Sequence, residues 1–146
     1  MKPSSRVVAT AAAATLCLVG IALADDDDYP SWRPNNTPAN SVTGPIILLP
    51  NRMHAADADF PLHLNSQLPD FKPGQGSMPA SVYAVTARVD STLLNGQKLC
   101  STGLPPVWIV VVPVPPDGLE VDAFNSIDKP VNASSPGLCG TFSYIR

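Results

Sequence analysis

The sequence predicts a small, mainly β protein: an antiparallel meander or sandwich of four to five strands, with a proline-rich irregular N-terminal arm and one disulfide. Three observations carry this. Period-2 alternation recurs through residues 81–146. Prolines are too closely spaced before that for long helices. Two cysteines, Cys100 and Cys139, remain once the N-terminal leader is set aside.

The leader comes first. Lys2 and Arg6 precede an uncharged run, Val7 to Ala24, that ends Ala22-Leu23-Ala24. A basic start, an apolar middle and a small-residue exit make a secretory signal, so residues 1–24 are expected to be removed. Asp25 to Asp28 follow, and four consecutive carboxylates cannot continue a membrane segment. Two rival readings are an uncleaved anchor and a lipoprotein acylated on Cys17. Leu16 stands where the second would need a small residue. Export would place the protein in a secreted or periplasmic location.

Cleavage leaves 146 − 24 = 122 residues, enough for one domain. All 12 acidic residues and seven of the nine basic ones stay, so the mature net charge is 7 − 12 = −5. Four of those charges are Asp25–Asp28. A chain without a basic patch is not built for nucleic acid, nor for an anionic membrane surface.

Residues 25–42 read as a disordered acidic and proline-rich arm, because little in them repays the entropy of ordering. Residues 43–146 read as a single small β domain. Within it, Ile46–Leu49 between Pro45 and Pro50 predicts a short strand, and Asn51–Asp57 one or two helical turns. Tyr83, Val85, Ala87 and Val89 alternate with Ala84, Thr86 and Arg88, a half-buried strand. Asn95-Gly96 predicts a hairpin joining Ser91–Leu94 to Gln97–Cys100, since both residues accept positive φ. Val107–Val112 is apolar on both faces and fenced by Pro105, Pro106 and Pro113, as for a central strand. Pro115-Pro116-Asp117-Gly118 is a turn. Leu119, Val121 and Ala123 then alternate with Glu120 and Asp122, which are expected to face water. The last strand, Gly140–Ile145, sets Phe142 and Tyr144 on one face.

In an oxidising compartment Cys100 and Cys139 are expected to pair. A loop of that length stabilises the fold by about 4 kcal/mol on the chain-entropy model. The spacing is not the Cys-x-x-Cys of a redox couple.

Chemistry has few candidates. His54, Asp57, Asp59 and His63 bring two imidazoles and two carboxylates within ten residues, donors that suit zinc or copper, in no standard zinc spacing. Serines such as Ser101, Ser134 and Ser135 lie outside any Gly-x-Ser-x-Gly motif, which leaves a hydrolase as a third reading. No cofactor motif is present. Tyr29, Trp32 and Arg33 are residue types that dominate interface hot spots, and the arm that carries them has no evident core to join. The leading expectation is therefore an exported, non-catalytic binding module whose partner is an envelope or secreted protein. The metal-handling reading stands second.

Overall fold

A computed structural model describes residues 29–74 and 76–146. The leader and Asp25–Asp28 lie outside the described residues. Eight antiparallel strands follow one another: β1 (Ser31–Pro34), β2 (Ile46–Leu49), β3 (Arg52–Ala55), β4 (Ala58–Lys72), β5 (Met78–Val85), β6 (Trp108–Val114), β7 (Gly118–Phe124) and β8 (Leu138–Ile145). Each pairs with the next, and β1 pairs with β8 through Arg33↔Ile145 and Pro34↔Tyr144, so the meander closes into a barrel.

Eight strands enclose a space that side chains just fill. Ile46, Met53, Phe60, Ile109, Val121, Phe142 and Tyr144 fill it here, all buried. They alternate with outward residues, so the period-2 pattern of β7 and β8 is the pattern of the barrel wall. One end is closed. The turn Ala39–Thr43 and the long loop between β5 and β6 bring Ala39, Leu93, Leu99 and Cys100 into the same core. The disulfide Cys100–Cys139, S–S 2.06 Å, ties that loop to the start of β8. Gly140 lets the loop come close, because a Cβ there would meet the Leu99 carbonyl oxygen at 2.7 Å.

Outside the barrel lies a second apolar layer. β4 is 15 residues long, with register shifts at Leu64/Ser66 and Leu68/Lys72. Bulges of this kind bend a strand. The bend carries Phe71 onto the outer face of β6 and β7, where it packs among Val110, Val112 and Phe124. The Phe71 and Phe124 rings meet edge to face at 6.4 Å, and the Ala133 N–H donates to the Phe71 carbonyl at 2.9 Å.

Several expectations are corrected. There are eight strands, not four or five, and the additional ones come from the proline-rich half. Proline does not forbid strands there because it falls at their ends (Pro34, Pro45, Pro50), at the last β3–β4 pair before β4 passes to β5 (Pro61, opposite Arg52), in a register shift (Pro69), or past the last β5–β6 pair, Ser81↔Val111 (Pro79, Pro113). The described part of the 25–42 segment is ordered: residues 31–34 form β1 and residues 39–43 the helical turn. Asn51–Asp57 is strand β3 and a turn rather than helical. Asn95-Gly96 sits in a short helical turn inside the β5–β6 loop and makes no hairpin. The strand expected around Tyr83 starts earlier and stops at Val85. Glu120 and Asp122 do not face water, because β7 is covered on its outer side by the second layer.

Candidate functional site at the open mouth of the barrel

The end opposite the disulfide is open. β4–β5 and β6–β7 part beyond Ser81↔Val111. Each runs on as its own ribbon, to Lys72↔Met78 in one and Val114↔Gly118 in the other. Between the ribbons lies a cleft of about 420 Å³ lined by Gln67, Leu68, Pro69, Pro79, Ser81 and Pro113. A second cleft, of about 450 Å³, is lined by Trp32, Pro113, Pro115, Pro116, Asp117 and Arg146. The two meet at Pro113. Pro79 and Pro113 also lack the backbone N–H that a foreign strand would need, so the parted edges are blunted against β-addition. What they offer instead is apolar ring surface.

Trp32 is placed by its neighbours. On β1 it stands opposite Ile46, whose side chain is in the barrel core. The Arg146 guanidinium lies 4.8 Å from the ring centroid, a cation–π contact. Arg33 Nη2 donates to the Arg146 carbonyl oxygen at 2.6 Å, clamping the C-terminus beside the indole. Trp32 and Arg33 are thus brought together at the mouth, while Tyr29 precedes β1 in a bend.

The four histidine and aspartate residues are not brought together. His54 and Asp59 are cross-strand partners with Nδ1···Oδ1 2.8 Å, and Arg52 Nε stands 3.8 Å from the same Asp59 oxygen. Asp57 is in the turn between β3 and β4. His63 pairs with Ala84, four residues along β4 from Asp59, roughly 13 Å at the rise of a strand. Among the described residues no group of three or more His, Cys, Asp or Glu side chains could hold a metal ion. Serine chemistry fares no better. Ser31 lies two strands from His54, roughly 10 Å. The Ser101 and Ser135 hydroxyls are engaged with backbone groups.

One constellation escaped sequence reading. Lys72, at the end of β4, forms an ion pair with Glu120 Oε1 on β7. Asp122, two residues on, is 2% exposed, between Val110 on β6 and Thr141 on β8. Burial pushes the Asp122 carboxyl up to about 7, helped by the Glu120 charge, while the Thr141 hydroxyl and the Lys72 charge pull the other way. A signal for this existed. A run as apolar on both faces as Val107–Val112 implies a cover over the outer face of β6, and the same cover reaches β7. The chain matches no family model, no curated protein and no solved structure.

Proposed function

We propose that the chain is an exported, non-catalytic binding domain that takes an apolar segment of a secreted or envelope protein at the open mouth. The observation that carries this reading is the pair of clefts meeting at Pro113, with the partly buried Trp32 on one wall. Barrel mouths are recurrent ligand sites, and apolar walls with a few fixed polar groups are their usual lining. Here the polar groups are Gln67, Ser81, Asp117 and Arg146. The outer wall supports a barrel that stands in water: His54 and Asp59 face outward and are exposed, and β1, β2 and β3 have four residues each, against the roughly 9–11 that cross a bilayer.

The test is cross-linking of the exported protein in its own compartment, comparing the unmodified chain with Trp32→Ala and with Arg88→Ala, which lies at the closed end. A cross-linked partner retained by Arg88→Ala and lost by Trp32→Ala supports the reading. Equal retention by both variants would place binding elsewhere on the surface.

A further inference from the structure

Lys72, Glu120 and Asp122 meet under the second layer, and their chemistry is more specific than that of a structural ion pair. Lys72 is delivered by the bend in β4 and fixed by its neighbour Phe71, which is fully buried. Glu120 and Asp122 both leave β7 on its outer face, with Val112 and Val110 opposite them on β6 and Ser143 and Thr141 opposite them on β8. The Lys72 and Glu120 side chains are only 16% and 14% exposed. The Asp122 Oδ1 atom is buried with no hydrogen-bond partner among the described residues. An amine in contact with a carboxyl group, a second carboxyl group beside it and an apolar surround are the parts needed to make an amide.

We propose that Lys72 and Glu120 join in an intramolecular isopeptide bond, with Asp122 relaying the protons. The Lys72 ammonium passes a proton to the Glu120 carboxylate, leaving a neutral amine and a carboxylic acid. The amine lone pair attacks Glu120 Cδ while the Asp122 carboxyl protonates the carbonyl oxygen. Asp122 then takes a proton from the nitrogen, returns one to a departing oxygen and, as that oxygen leaves, takes the proton of the remaining hydroxyl. The Cδ–O bond breaks, the oxygen leaves as water, and the Cδ–Nζ bond remains. One ammonium and one carboxylate become one amide and one water. No oxidant or other reactant is consumed, and Asp122 ends in the protonation state in which it began.

Three physical effects favour the step. The fold holds amine and carboxyl in contact, which replaces a bimolecular encounter by an intramolecular one. A relay works best when its acid is still protonated near the working pH, and burial gives Asp122 that property. Amide formation also removes a buried pair of charges whose desolvation is costly.

The experiment is an intact mass of the purified full chain, reduced to open Cys100–Cys139 and compared with the mass calculated from its observed N-terminus. The expected result is a deficit of one water, about 18 Da, with the Lys72 and Glu120 peptides recovered as one cross-linked species in tandem spectra. Lys72→Arg keeps a cation against Glu120 without a nucleophilic amine, and is expected at full mass. Glu120→Gln should lose ammonia instead, about 17 Da. Asp122→Asn should form the bond roughly tenfold or more slowly. Full mass in the unmodified chain, or a water loss mapped to other residues, overturns the proposal. Bond formation at the unmodified rate in Asp122→Asn overturns the relay.

Discussion

The hydroxyl oxygens of Thr43 and Tyr144 lie 2.7 Å apart in the barrel interior, joining the turn after β1 to the last strand. Burial holds the Tyr144 phenol above its ordinary range, so it stays neutral. The two ends of the contact are not equivalent. Thr43 Oγ1 also lies 3.1 Å from the Ala39 carbonyl and 3.0 Å from that of Gly44, whereas Thr43 is the partner found for the phenol. Tyr144→Phe should therefore cost about 1 kcal/mol, and Thr43→Val, which strands a buried hydroxyl, about 2–3 kcal/mol. Urea unfolding of the two variants measures the order.

The disulfide closes a sequence separation of 39 residues and fastens the loop that plugs the closed end. Replacing Cys100 and Cys139 by serine should lower stability by about 4 kcal/mol. Thermal unfolding with and without reductant checks this, and the serine variant should be indifferent to reductant.

Asp122 gives stability an unusual dependence on pH. Its carboxyl is raised from 3.8 to about 7 in the fold. Between those values the folded protein holds a proton that the unfolded chain has released, so stability falls as pH rises across that window. The contribution is complete below the lower value and lost above the upper one. Asp122→Asn should match the unmodified protein at acid pH and exceed it on the alkaline side of neutrality. The sign holds whether or not Glu120 keeps its charge, because burial is the larger cause. Denaturant midpoints at two pH values on either side of the window are the measurement.

Phe71 is the apolar anchor of the bent β4–β5 ribbon. Phe71→Ala should cost about 3–5 kcal/mol, and the loss should be local. Hydrogen exchange should quicken in residues 66–72 and 78–81 and stay slow in β7 and β8.

Much of this architecture can be read in the chain, for physical reasons that differ between its halves. In β6, β7 and β8 each strand buries a regular row, and alternation or an unbroken apolar run reports it directly: Ile109 and Val110, Val121 and Ala123, Phe142 and Tyr144 are all buried. The strands of the first half are hidden by being short. Four residues such as Ser31–Pro34 or Arg52–Ala55 show barely two periods, and prolines at their ends resemble the punctuation of a loop. Trp32 was legible as a residue in want of a core, but the core it joins is made by β2 and β8, far off in sequence. Asp122 was misplaced because alternation records only which face a residue takes. Whether that face is wet depends on Phe71, fifty residues earlier, and on a bend in β4.

The pairing of β1 with β8 has a consequence for when the barrel can form. The strand that leaves the ribosome first has a neighbour, β8, that leaves last, and the register Arg33↔Ile145 spans nearly the whole chain. Contacts of such sequence separation are slow to make, because the loop they close costs the most entropy. Until residue 145 is available, β1 can be paired on one side only, and the wall has an open seam. A chain built this way passes through any narrow passage as a thread and becomes a closed vessel only after its final strand has arrived.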